Sequence, residues 1–174
     1  MNSNIAKLLE KVVEQGGLTE MPQPSTSAIE EEIVTALGSY FQSIFKVESV
    51  SLKIPEDYLT FLTLLGDDAA DVHFGGDYGT YVWSWEQVIK NTKYWADIDF
   101  YISEDESTSS KKEIWLHIGD YSDKHWYFLC CAPNSPNYGK VMDGHDNTPW
   151  NEYNALYREA DSFTEFLSNL VSGE

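Results

Sequence analysis

The stretch EIWLHIGDYSDKHWYFLCC, residues 113–131, decides the fold class. Glu113–Ile118 alternates, His125–Cys131 is a continuous aromatic and aliphatic run, and turn-forming residues fill Gly119–Lys124 between them. That pattern predicts two antiparallel neighbours in a sheet. Trp115 and His117 fall on the face opposite Ile114, Leu116 and Ile118, so one set lies nearer solvent unless helices cover both faces. Cys130 and Cys131, the only cysteines, are adjacent and point to opposite faces of a strand. They close no loop, a bond between them would be strained, and the default setting is reducing and cytoplasmic.

Downstream, Pro133–Tyr138 reads as a turn, Gly139–Met142 as a third short strand and Asp143–Pro149 as a polar turn. Ser162 and Glu165 have capping-box spacing, and Phe163, Phe166, Leu167, Leu170 and Val171 line one face of a closing helix. Upstream, Asp97–Lys112 is polar and reads as a long surface loop. Before it, Ser84 and Gln87 have the spacing to open a helix towards Tyr94, preceded by a short Tyr81–Trp83 strand and an acidic, glycine-rich loop. Pro55 suits a helix start, Glu56 and Asp57 its first turn, and Tyr58, Phe61, Leu62 and Leu65 its buried stripe up to Gly66.

Residues 39–53 carry a mixed signal, because Tyr40, Phe41, Ile44 and Phe45 could extend a helix whereas Val47–Leu52 alternates like a strand. Ser27 and Glu30 have capping-box spacing ahead of Ile29, Ile33 and Leu37. At the N-terminal side, Ile5, Leu8, Leu9, Val12 and Val13 form an apolar stripe that Gly16 and Gly17 should end, followed by a proline-containing linker over Thr19–Ser27. The expected architecture is α+β: a central, mostly antiparallel sheet of short strands flanked by helices. Residues 1–27 form an N-terminal helix and linker, and residues 28–174 a single domain.

Charge bounds the partners. The chain has 29 acidic and 11 basic residues, a net charge of −18, and 42% hydrophobic residues. Its 174 residues suffice for a core without metal or disulfide staples. Direct nucleic-acid binding is excluded as a leading reading because phosphate affinity comes from clustered Lys and Arg, and an anionic membrane is disfavoured on the same ground. No apolar run approaches membrane-spanning length, and Lys7, Glu10, Lys11 and Glu14 interrupt any secretory core. From Ile54 to Ile89 there is no Lys or Arg, while Glu56, Asp57, Asp67, Asp68, Asp71, Asp77 and Glu86 all fall there. Such a stretch sets up a field that steers cationic surfaces inward.

Tests for chemistry give little. His117, Asp120, Asp123 and His125 surround one hairpin but match no zinc spacing, and Asp143–Asn147 lacks the ligand pattern of a calcium loop. Gly75, Gly76 and Gly79 enclose Asp77, which would repel phosphate, so a tight turn explains them better. No serine-elbow motif exists, no motif lowers a cysteine pKa, and an abundance of carboxylates is not evidence of a glycosidase pair. No enzymatic activity, cofactor or metal is expected. The six tryptophans, Trp83, Trp85, Trp95, Trp115, Trp126 and Trp150, could fill the core or anchor an interface.

The order Ile54-Pro55-Glu56-Asp57-Tyr58-Leu59-Thr60-Phe61-Leu62, a glycine-containing loop, Ile114–Asp120 and Ala160-Asp161-Ser162-Phe163-Thr164-Glu165-Phe166-Leu167 resembles the SUKH superfamily over Ile29–Val171. That superfamily includes fungal cell-wall-synthesis regulators and many bacterial immunity proteins. The resemblance implies a sheet with helices against it, no catalytic residues to transfer, and, for bacterial members, neutralisation of a cognate toxin, often a nuclease, by direct binding. The expectation is therefore a non-enzymatic immunity protein for a basic toxin. The alternative is a regulatory protein–protein interaction scaffold of the cell-wall-synthesis-regulator type. Partner contact is expected at Asp67, Asp68, Asp71, Asp77, Glu104, Asp105 and Glu106.

Overall fold

The computed structural model describes residues 3–67, 71–75, 79–102, 113–122, 125–145, 148–150 and 156–173. Within them the chain runs α1 (Ser3–Glu14), α2 (Ile29–Phe45), α3 (Glu56–Leu65), β1 (Val72–Phe74), β2 (Thr80–Val82), α4 (Trp85–Ile102), β3 (Trp115–Tyr121), β4 (His125–Cys130), β5 (Val141–Asp143), β6 (Tyr157–Ala160) and α5 (Phe163–Ser172). The strands form one sheet in sequence order, every neighbouring pair antiparallel. The α+β architecture is thus the one expected.

Helices cover both faces, which settles the alternation in β3. Leu116, Leu129 and Val141 pair across one face, where Tyr127 meets Phe166 of α5 at 4.9 Å between ring centroids. His117 pairs with Phe128, and Phe128 with Met142, on the other. There Thr92 of α4 accepts a hydrogen bond from the His117 backbone N–H at 2.9 Å, and Trp150 bridges Phe128 and Phe41 of α2. Trp115 and His117 are consequently as buried as Leu116 and Ile118. A bulge between His117 and Gly119 bends β3. A Cβ on Gly119 would lie 2.1 Å from the Tyr81 carbonyl oxygen, so only glycine lets β2 approach this closely.

The α1 stripe is buried through Ile5, Leu9 and Val12, and the helix packs against α3 and α5. Gln15 donates to the Val171 carbonyl at 2.9 Å, and the Gly17 carbonyl accepts from His73 in β1 at 3.2 Å, closing that edge of the sheet. Residues 19–27 have no regular structure but lie along the end of α3. Ser25 N–H donates to Thr63 O at 2.7 Å, and the backbone of Gln23 comes so close to Gly66 that a Cβ there would stand 2.3 Å from its carbonyl oxygen.

Several local expectations are corrected. The mixed segment is helical to Phe45, where Lys46 takes a left-handed cap conformation, and 47–52 contains no strand. Gly38 is buried inside α2, and the helix runs on past it because Phe41 and Phe45 extend the apolar face. Ser27 does not cap α2: the N-cap is Ala28, without a side-chain cap, and Ser27 N–H turns back to Ser25 Oγ at 2.9 Å. The Ser84–Gln87 box is also not formed as spaced. Asp71 accepts from the Ser84 N–H at 2.9 Å, while Gln87 donates forward to Asn91 at 3.1 Å. Residues 97–102, expected in a loop, continue α4; residues 103–112 lie outside the described residues. Strands β1 and β6, three and four residues long, are outside the sequence pattern's expectation.

The C-terminal box does form. Ser162 Oγ accepts from Glu165 N–H at 3.1 Å, and the Glu165 carboxylate reaches past Ser162 to the Asp161 N–H at 2.7 Å. Asp57 joins α3 to α5 by accepting from both the backbone N–H and the hydroxyl of Thr164, at 2.8 and 3.0 Å.

Candidate functional site

Where β1 and β2 run alongside the second half of β3, past its bulge, three rings stack in sequence on one face. His73 and Tyr81 are directly opposed in the ladder, with centroids 4.4 Å apart and an interplanar angle of 22°. Tyr81 and Trp83 follow at 5.8 Å and 14°. Two residues apart in extended chain, Tyr81 in β2 and Trp83 just past its end share a side, which is why the stack runs along the strand. Tyr81 is 40% exposed, His73 and Trp83 half-buried. Asp120 stands opposite Tyr81 in the next strand and Trp126 opposite Asp120, so the row reads His73, Tyr81, Asp120, Trp126 across four strands. Opposed residues in such a ladder lie on one face. Trp126 stacks on Trp95 of α4 at 4.2 Å.

The carboxylates at this face have defined neighbours. Asp120 accepts from His117 Nε2 at 2.6 Å and remains 26% exposed. Asp71, at the foot of β1, is half-buried and holds the Ser84 N–H directly after Trp83. Asp67 is exposed just past the α3 cap and accepts from Ser25 Oγ. Asp120 hydrogen-bonds to His117, Asp71 to the Ser84 N–H and Asp67 to Ser25, and among the described residues no lysine pairs with any of the three. Lys93 instead sits over the Tyr40 ring at 5.6 Å. Of the seven residues expected to contact a partner, Asp67 and Asp71 are placed as above; Asp68, Asp77, Glu104, Asp105 and Glu106 lie outside the described residues.

Asp57, one of the carboxylates in the lysine-free stretch, is committed to Thr164 and is structural. The tryptophans do not form the exposed anchors: Trp115 and Trp150 are buried, and Trp83, Trp85, Trp95 and Trp126 are half-buried against the core. Exposed aromatic surface comes from Tyr81, Tyr94, Tyr121 and Tyr157. The signal that could have found Tyr81 is its place as the odd residue between Thr80 and Val82, both inward-facing on a strand.

The arrangement gives no handle for nucleophilic chemistry. Both cysteines are buried, and burial pushes both thiols up, Cys131 furthest, so the reactive thiolate is scarce. His117 and His125, weighed together as metal ligands, lie on opposite faces of the hairpin and pair with different carboxylates. Among the described residues no group of three or more His, Cys, Asp or Glu side chains is arranged to hold a metal ion, and no helix is long and apolar enough to cross a membrane.

No curated protein matches the chain. The model of the SMI1 / KNR4 family (SUKH-1) matches residues 44–169, from the end of α2 into α5, and so includes the sheet, the stacked face and both ends of the Asp57–Thr164 link. With the helix-flanked antiparallel sheet, that match over more than half its length establishes that the chain belongs to the SMI1 / KNR4 (SUKH-1) family, a generally non-catalytic family of protein-interaction modules.

Proposed function

We propose that the chain is a non-enzymatic immunity protein that binds a basic cognate toxin, of the nuclease kind, and neutralises it by covering its cationic surface. The observation that carries this reading is the stack of His73, Tyr81 and Trp83, open to solvent at Tyr81, beside Asp71 and Asp120. Four of these five residues lie in the segment from Ile54 to Ile89 that contains no Lys or Arg. A guanidinium or ammonium group is attracted by an aromatic face and by a neighbouring carboxylate at once. A nuclease carries such groups because it must hold phosphate, so an acidic, aromatic inhibitor competes for the same surface. In the proposed mechanism the carboxylates of Asp67, Asp68, Asp71, Asp77, Glu104, Asp105 and Glu106 contact the cationic partner, and cytoplasmic residence fits two free thiols.

The test is capture of partners from native lysate at low and high salt, followed by an activity assay of the retained protein with and without the chain. One basic protein, retained more strongly at low salt and inactivated on binding, is the expected result. Recovery of several proteins whose activities are unchanged would instead favour a regulatory scaffold of the cell-wall-synthesis-regulator type.

A further inference from the structure

We propose that His125 and His145 form a two-imidazole site for a divalent transition-metal ion of the zinc or copper type, at the end of the sheet where β4 begins and β5 ends. The site does not depend on the partner-binding reading above. His125 Nε2 and His145 Nδ1 are 3.3 Å apart, with ring centroids at 4.6 Å. An ion making two metal–nitrogen bonds of about 2.0–2.1 Å at a near-tetrahedral angle separates its two nitrogens by about 3.3–3.4 Å. The pair therefore already has the bite that such an ion requires.

One carboxylate sets both rings. Asp143 Oδ2 lies 2.6 Å from His125 Nδ1, which places the ring proton on Nδ1 and leaves the Nε2 lone pair facing His145. Asp143 Oδ1 accepts the backbone N–H of His145 at 2.8 Å, within a turn where His145 has φ +38°. A non-glycine residue in that left-handed region is held there by its surroundings, and here the turn brings the ring back over β4. Carboxylate on the remote nitrogen of an imidazole whose other nitrogen is free is the outer-shell arrangement that orients and strengthens metal-bound histidine. Asp143 itself is 14% exposed and His125 30%, so the orienting group is shielded while the ligand nitrogen is reachable.

Without metal, the same separation is bridged by an N–H···N hydrogen bond from His145 Nδ1 to His125 Nε2; when the ion binds, the His145 ring carries its proton on Nε2 instead, so that the Nδ1 lone pair ligates. The described residues supply two ligands, below the three of a closed or catalytic zinc site, so the binding expected is of micromolar rather than structural strength. The net charge of −18 favours a cation at any exposed site, which makes a local control necessary.

The test is calorimetric titration of zinc chloride, and separately copper chloride, into the full chain free of any polyhistidine tag. Saturation at one equivalent is expected, weakened at least about tenfold by His145→Ala, a substitution at an exposed residue, and unaffected by His73→Ala. His125→Ala should match His145→Ala, with circular dichroism establishing that each variant is folded. No saturable binding at millimolar metal, or binding that His145→Ala leaves unchanged in the folded protein, overturns the proposal.

Discussion

The junction of α3 with α5 and the stacked face of β1 and β2 are built from the same residue types with opposite outcomes. At the junction, Phe163 is fully buried with Tyr58 and Phe61 at 4.6 and 4.9 Å, and Asp57 spends one oxygen on both polar hydrogens of Thr164. At the stacked face, Tyr81 shows 40% of its surface, and Asp120 is bonded to His117 yet keeps a quarter of its surface in solvent. Aromatic rings enclosed on all sides contribute burial and dispersion to folding. Rings stacked with one side open contribute less to folding and leave area that a partner can desolvate. The difference lies in what covers each cluster: α5 closes on the first, whereas α4 reaches only the β3 and β4 part of the second through Trp95.

That contrast is sharpest in stability measurements. Phe163→Ala should cost about 3–5 kcal/mol in chemical denaturation, because the cavity is walled by rings that cannot collapse into it. Tyr81→Ala should cost no more than about 1 kcal/mol, the scale of one cross-strand pair. Equal losses would erase the distinction between the two regions. Asp57→Ala should cost about 1.5–3 kcal/mol through the lost hydrogen bonds of Thr164, read in the same titration. A loss no larger than for an ordinary surface carboxylate would show that the link between α3 and α5 is incidental.

Smaller effects separate the two serines with the same spacing. Ser162→Ala should cost about 1 kcal/mol, since its hydroxyl caps α5, and Ser27→Ala should stay within about 0.5 kcal/mol, since it caps nothing. Tyr58→Phe sharpens the account of the junction: the buried hydroxyl has no hydrogen-bond partner among the described residues, so its removal should leave stability unchanged or raise it by about 1 kcal/mol. A clear loss would mean that the hydroxyl is satisfied by water.

The sequence made long, strongly periodic elements legible. Tyr58, Phe61, Leu62 and Leu65 define α3 by their helical spacing, and the Ser162–Glu165 pair marks the start of α5. Capping spacing failed at Ser27 because the chain turns back there onto Ser25 and Ala28 becomes an N-cap with no side-chain bond, and at Ser84 because Asp71, thirteen residues upstream, takes its N–H. Strands β1 and β6 are too short to carry a period, and pairing with β2 and β5 is what defines them. Of the candidate site, the acidity was legible because charge is additive along a chain. The stack was not, because His73 and Tyr81 meet only through the β1–β2 register. The His125–Asp143–His145 group likewise depends on β4 pairing with β5.

The most direct measurement is the affinity of the captured basic partner for the wild-type chain, Tyr81→Ala and a control, Tyr157→Ala, whose residue is 59% exposed at the far edge of the sheet. The account predicts that Tyr81→Ala weakens binding at least about tenfold, equivalent to about 1.4 kcal/mol, while Tyr157→Ala binds as the wild type does. Unchanged affinity in Tyr81→Ala, or a loss confined to Tyr157→Ala, would contradict it.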